Sequence, residues 1–402
     1  MEVSGLAGLA RILVLDAGYN TALVMAGSTV LGVAAGVIGC FTMLRRRSMI
    51  SDAISHATLP GIALAFLFGL AVFGSGRNIV LLSTGAAATG VLGILAVHWI
   101  RERTRLGEDA AIGTVLSGFF GAGVVLMSHV QTLPAAGQAG LDGFLLGATA
   151  TMTADEAVAI TAAALLVMTV TLALLRPFAA VCLDEQHASV LGLGVVTIDM
   201  VMTALLLLVV VTGLKTVGLI LVIALVIIPP VTARFWTDRL GVMLVISGLV
   251  GGGACYAGSA ASAFWPDMPT GAVIVIMAAT ICAVSVAVAP TRGVISRLVH
   301  ARRFRRRVIF RQALLACSRG ERPEGAARRM LRSAGVLGAD AELTLRGHAQ
   351  AEATASDWRL WELYLEWYPE RALATPEWGS RPIGEVLPAD TVAELRARAG
   401  SE

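Results

Sequence analysis

The chain has 402 residues, of which 56% are hydrophobic and 15% charged, and its mean hydropathy is +0.77. Soluble domains run at roughly 45–50% apolar and about 25% charged. These values exclude a disordered chain, a collagen-like chain and an ordinary soluble enzyme, and the long apolar blocks point to a polytopic membrane protein. A net charge of +3 excludes a polyanion binder built on bulk charge.

Of the 31 basic residues, 30 are arginine. The single lysine, Lys215, lies inside apolar sequence, and no Gly-x4-Gly-Lys-Ser/Thr phosphate loop occurs. The five cysteines, Cys40, Cys182, Cys255, Cys282 and Cys317, form no CxxC. They read as small buried apolar residues rather than a disulfide framework or zinc site.

In chain order, residues 1–20 carry a weak apolar run broken by Arg11 and Asp16, without a clear cleavage site. They are expected to stay attached as a short surface helix. Crossing roughly 30 Å of hydrocarbon takes about 20 helical residues. Nine spans are predicted: 21–43, 56–74, 79–99, 109–128, 155–175, 195–213, 216–234, 240–262 and 271–290. Helices suit the bilayer because their backbone groups bond internally. Gly32-x3-Gly36 and Gly113-x3-Ser117 are patterns that let helix backbones approach closely. The alternative is that glycine and alanine are simply abundant.

Arginine placement sets the orientation. Arg45–Arg47, Arg101, Arg103, Arg105, Arg176, Arg234, Arg239, Arg292 and Arg297 all fall on one side if the spans alternate. The opposite loops carry only Arg77. The N-terminus is therefore expected outside and the C-terminus in the cytoplasm. A permease-like body over 21–292 is followed by a basic linker, 293–307, and a segment of soluble character, 308–402. Within that segment Ala313–Ser318, Pro323–Ser333, His348–Tyr368 and Pro388–Arg398 read as helices, and Val336–Leu345 as a small β-wing.

The most informative segment is Arg46–Gly61. Asp52 and His56 stand four apart, so a helix places them on one face. A carboxylate oxygen and an imidazole nitrogen one turn apart can share a divalent cation, and this donor set suits Mn, Fe or Zn. Pro60 cannot donate to the carbonyl of His56, which leaves an oxygen free beside the pair. The plainer alternative makes Asp52 a helix cap and His56 a hydrogen-bonded helix-end residue. Ionisable groups at membrane depth are costly, which favours function.

Here the sequence resembles a known family. Arg46-x-Ser48-x-Ile50-x-Asp52-Ala53-x-Ser55-His56-Ala57-x-Leu59-Pro60-Gly61 is similar to the signature of the ABC-3 family, permease subunits of manganese, zinc and iron ABC importers. Glu108–Gly113, Leu141–Gly147, Asp184-x3-Ala188-x2-Leu191-Gly192 and Val217–Pro229 resemble further family motifs in the same order. The likeness covers about residues 20–292. It implies an all-α polytopic membrane protein of about nine transmembrane helices, of the type II importer permease kind. It also implies a transport subunit that is not an enzyme, in a bacterial-type plasma (inner) membrane, with no permanent cofactor. Asp52 and His56 would be metal-path ligands. Residues 182–194, with Asp184, Ala188, Leu191 and Gly192, would couple to a separate ATPase subunit. Asp199 could face the path, whereas Asp109 reads as an N-terminal cap. Implied partners are an ABC ATPase subunit, an extracytoplasmic metal-binding protein and a second permease chain, identical or sister.

The tail has its own resemblance. Leu343-Thr344-Leu345-x-Gly347-x3-Ala351 and Trp358–Leu365 are similar to the iron- and manganese-dependent winged-helix repressors, implying a small cytoplasmic winged-helix-like α/β domain. Their metal-binding pattern is missing here. The basic run 302–307 reads as an anchor on anionic membrane lipid rather than on nucleic acid. Three other functions stay open from sequence: a metal-responsive regulatory membrane protein, a permease for cobalamin or iron-siderophore, and a secondary transporter that needs no ATPase.

Overall fold

The computed structural model of the chain describes residues 18–45, 48–74, 78–133, 152–265, 268–290, 292–338, 340, 342–370 and 381–399. The N-terminal segment 1–17 and the Leu141–Gly147 motif lie outside them. The chain divides into two compact units, Met1–Val294 and Ile295–Glu402.

The first unit is helical throughout its described residues: α1 (Tyr19–Leu44), α2 (Ser48–Phe73), α3 (Ile79–Arg103), α4 (Glu108–Gln131), α5 (Ala154–Ala173), α6 (Leu175–Leu183), α7 (Glu185–Val190), α8 (Val195–Val217), α9 (Leu219–Trp236), α10 (Leu240–Phe264) and α11 (Thr270–Val288). Among the described residues nine helices are long and apolar enough to cross a membrane, and they match the nine predicted spans one for one. The largest difference is α2, which begins at Ser48 rather than near His56. Its first turns are polar and so fall below the hydropathy of a span. Local chemistry sets several ends. Asn78 caps α3 by accepting from the Val80 and Leu81 amides, and Thr153 with Glu156 forms a capping box at α5. Asp109 is not the cap of α4. Gly107 is, and Asp109 lies in the first turn beside Glu108, where negative charge complements the helix dipole. Spans α8 and α9 are separated by one residue, Gly218, whose φ of 87° is costly for any residue with a Cβ.

Helix α1 is the most enclosed span. In its most apolar window 72% of residues are buried, against 22% in α11. Lipid is as apolar as leucine, so helices here associate through close packing rather than a hydrophobic drive. Glycine provides that closeness. A Cβ on Gly32 would sit 2.5 Å from the Gly251 carbonyl oxygen, and one on Gly36 2.6 Å from that of Ser247. Ser247 Oγ donates to the Gly36 carbonyl at 2.6 Å, which fixes the α1–α10 crossing. Pro229 and Pro230 lie inside α9 and cannot donate to the carbonyls of Leu225 and Val226. The Val226 carbonyl instead closes on Gly39 of α1, where a Cβ would overlap it.

The second unit comprises α12 (Val294–Ser318), α13 (Gly325–Ser333), α14 (Leu345–Trp367), α15 (Ile383–Val386) and α16 (Ala389–Ala399). Two small cores hold it. One gathers Leu314, Leu331, Val336 and Ala351, and the other Trp361, Tyr364, Ile383 and Leu395. Asp357 accepts from Arg311 and from the Ile383 amide, the latter at 2.7 Å, so it joins α12, α14 and α15. The winged-helix-like α/β expectation is corrected. Among the described residues this unit has no strand, and the expected wing is a single antiparallel bridge, Leu337–Leu343. The reason is local. Thr344 caps α14, accepting from the Gly347 amide at 3.1 Å, so helix begins at Leu345 and leaves no chain for a strand to extend. The predicted helices of the tail are present with ends shifted by a few residues, except Ala313–Ser318, which is the end of the longer α12.

Gly39→Ala is expected to lower the thermal stability of the detergent-solubilised protein by the ~1–3 kcal/mol typical of overpacking. Gly253→Ala, where a Cβ meets nothing within 4 Å, is expected to leave it unchanged or raise it slightly, since alanine favours helix. Thermal unfolding of the two variants against wild type checks this.

Candidate functional site

Helix α2 carries the candidate site. Ser51, Ser55 and Thr58 form its buried face and satisfy themselves: Ser55 donates to the Ser51 carbonyl at 2.7 Å, and Thr58 to the Ser55 carbonyl at 2.6 Å. One residue round the helix lie Asp52 and His56. His56 Nε2 is 3.3 Å from Asp52 Oδ1. A divalent ion bonded at about 2.1 Å to both atoms would hold them ~3.0 Å apart at an octahedral edge and ~3.4 Å at a tetrahedral one. The pair already has that separation. Asp52 is the fifth residue of α2, so it is not a cap, and His56 is not at a helix end.

The walls of the site come from neighbouring helices. Phe120 of α4 meets the His56 ring edge-on, with centroids 4.7 Å apart. His56 Nδ1 is buried without a partner. Gly123 lets α4 reach Pro60, because a Cβ there would lie 2.8 Å from Leu59 Cβ. Gly93 of α3 does the same at Ala57, with 2.7 Å between a Cβ and the alanine methyl. The side chains of His56 and Asp52 remain 20% and 40% exposed. They share a face of α2 with the exposed Met49, one turn before Asp52. At 1.5 Å per residue Asp52 and His56 lie ~6 and ~12 Å beyond Ser48, in the half of α2 nearer Arg45. No group of three or more His, Cys, Asp or Glu that could hold a metal occurs among the described residues. A second acid–imidazole pair, His98 Nε2 and Glu102 Oε1 at 2.9 Å, lies in the last turns of α3, with Glu102 more than half exposed.

The predicted coupling residues form a compact motif between α6 and α8. Asp184 caps α7 by accepting from the His187 amide at 3.0 Å. Ala188 is fully buried. Gly192 takes φ 78°, and two backbone bonds close the helix: Leu193 N–H to the Ala188 carbonyl at 3.1 Å and Gly192 N–H to that of Ser189 at 3.0 Å. Leu183, Val190 and Leu191 are left exposed. Each residue type in Asp-x3-Ala-x2-Leu-Gly thus has a physical reason: cap, buried contact, exposed apolar tip, left-handed turn.

Asp199 lies elsewhere. It is 16% exposed and 3.3 Å from Arg45 Nε, and nothing places it beside Asp52. Sequence reasoning missed two residues, Phe120 and Arg45. Phe120 is one apolar residue among many in α4, and Arg45 stood out only as one of three consecutive arginines.

Residues 19–289 match the family model described as the ABC 3 transport family. The chain belongs to this family. Among ABC 3 relatives it is similar to the manganese transport system membrane protein MntC of Bacillus subtilis, 37% identical over 297 residues, which are 74% of this chain and 67% of that protein. It is also similar to the zinc transport system membrane protein TroC of Treponema pallidum, 36% identical over 71% of this chain and 94% of that one. Among solved structures, PsaBC from Streptococcus pneumoniae in complex with Fab superposes with a TM-score of 0.61 at 26% identity, covering 70% of this chain and 97% of that one.

Removing the α7 cap with Asp184→Ala is expected to weaken that helix by about 1 kcal/mol. Hydrogen exchange should then speed up several-fold across Glu185–Leu191 while the α8 amides keep their protection.

Proposed function

We propose that this chain is the permease subunit of an ATP-binding-cassette importer that moves a divalent transition metal, manganese, zinc or iron, into the cell by alternating access. The observation that carries the reading is the Asp52–His56 pair: two hard-to-intermediate donors 3.3 Å apart on the open face of a membrane helix. That face cannot be left to lipid, where a carboxylate is costly. A second permease chain covers it, and two copies bring four donors to one ion. Exposed Gly113, Gly118 and Gly121 on the neighbouring α4 suit a close helix approach from that second chain. Two donors per chain also keep the site weak enough to release its cargo when the copies separate.

The exposed Leu183, Val190 and Leu191 around α7 are the surface on which a separate ATPase subunit docks. An extracytoplasmic metal-binding protein delivers the ion to the opposite face. The arginine bias puts α7 and the second unit in the cytoplasm, with the N-terminus outside. The exposed Arg302, Arg303, Arg305, Arg306 and Arg307 of α12 follow the last span by a short connection and rest on anionic lipid headgroups.

Asp52→Ala and His56→Ala are each expected to reduce metal uptake by about tenfold or more while the permease still assembles with its ATPase. Uptake of radioactive manganese or zinc in cells, with the assembled complex quantified in parallel, measures this. Uptake at the wild-type rate in the double variant would refute the reading.

A further inference from the structure

Arg45 is the C-cap of α1, and three residues later Ser48 opens α2, the helix that carries Asp52 and His56. Its side chain is only 10% exposed. One nitrogen, Nη1, donates to the Val181 carbonyl at 3.1 Å and to Glu185 Oε2 at 3.3 Å. Val181 lies in the last turn of α6, where carbonyls have no partner within the helix, so Arg45 satisfies one of them. Glu185 is the first residue of α7. Arg45 Nε lies 3.3 Å from Asp199 Oδ1 in the second turn of α8, a charge contact without the alignment of a hydrogen bond. One guanidinium thus holds the ends of α6, α7 and α8 to the C-terminal end of α1.

The surroundings make that grip stiff. One turn earlier, Phe41 of α1 and Phe178 of α6 are both fully buried and meet edge-on at 5.3 Å. Further out the contacts are loose: Arg101 lies 4.0 Å from Glu185 and 3.9 Å from Glu108, at exposed positions where ion pairs contribute little. Of the described polar contacts that join the coupling segment to the chain leading into α2, the well-buried one is therefore that of Arg45, beside the direct packing of α8 on α2. A planar fork can hold a carbonyl and two carboxylates at once, which an ammonium cannot do in fixed geometry.

We propose that Arg45 is the positioning residue that carries movement of α7 into the first turn of α2, and that Asp199 belongs to this connection rather than to the metal path. The proposal rests on the permease reading above. A displacement of α7 by the ATPase pulls on Glu185 and Val181, and through Arg45 it shifts the start of α2 at Ser48, four residues before Asp52.

The test uses the full permease assembled with its ATPase in proteoliposomes. Arg45→Gln is expected to assemble and hydrolyse ATP near the wild-type rate, while metal moved per ATP falls about tenfold or more. Arg45→Lys, which keeps the charge but not the fork, should fall between. A merely structural role would lower the amount of complex and leave the ratio unchanged. A wild-type ratio in Arg45→Gln overturns the proposal, and so does failure of both variants to assemble. A second readout needs no cargo. Met49 is exposed in the first turn of α2, and thiol labelling of Met49→Cys, read on its own peptide by mass spectrometry, should change on adding ATP. That response should vanish with Arg45→Gln; its survival, or its absence in the Arg45 protein, overturns the proposal. If the wild-type chain moves no metal, the permease reading fails, and the labelling result still decides the role of Arg45.

Discussion

A carboxylate and an imidazole on an apolar helix are costly to take out of water, and the packing around the first half of α2 answers that cost. Asp52 and His56 engage each other, Phe120 encloses one side of the imidazole, and Ser55 and Thr58 on the buried face donate to carbonyls of their own helix. What remains is a partly open acid–imidazole face in the Arg45-proximal half of α2. A chain alone leaves it incomplete. In the proposed reading a second copy and a cation complete it, and the same incompleteness lets the cation leave.

Holding such a face in register requires that α2 not drift. The α2 crossings with α3 and α4 rest on glycines where any side chain would collide: Gly85 with Gly61 and Ala65, Gly93 with Ala57, Gly123 with Leu59 and Pro60. These contacts pack α2, α3 and α4 closely into one block. Helix α1 is tied to α9 and α10 by the same device, through Gly39, Gly32 and Gly36. The two blocks meet in sequence at the turn after Leu44, where Arg45 also takes hold of the coupling segment. In the proposed reading a close-packed block on each side of this connection converts a push at the surface into a movement at the site.

Much of this was legible in the residues. Long apolar runs located the spans, because a bilayer demands length and hydropathy together. The Asp-x3-His spacing located the pair, and the order Asp184, Ala188, Leu191, Gly192 encoded a cap, a contact and a left-handed turn that the structure contains. Other parts were illegible for physical reasons. The start of α2 was hidden because Ser48, Ser51 and Asp52 are helical yet polar. The wing read over 336–345 is, among the described residues, a single bridge, because Thr344 caps a helix that begins at Leu345 and pairing cannot run past it. The partners of Arg45 and Asp199 are 136 and 154 residues apart in the chain from their nearest counterparts, Val181 and Arg45 respectively, and no spacing rule reaches that far.

The account depends on the pair binding an ion jointly with a second copy. Equilibrium binding of manganese to the purified permease, free of ATPase and delivery protein, tests it most directly. The account predicts one ion for every two chains, held only by oxygen and nitrogen donors in X-ray absorption, and lost in His56→Ala. One ion per chain, sulfur in the coordination sphere, or undiminished binding in that variant would contradict it.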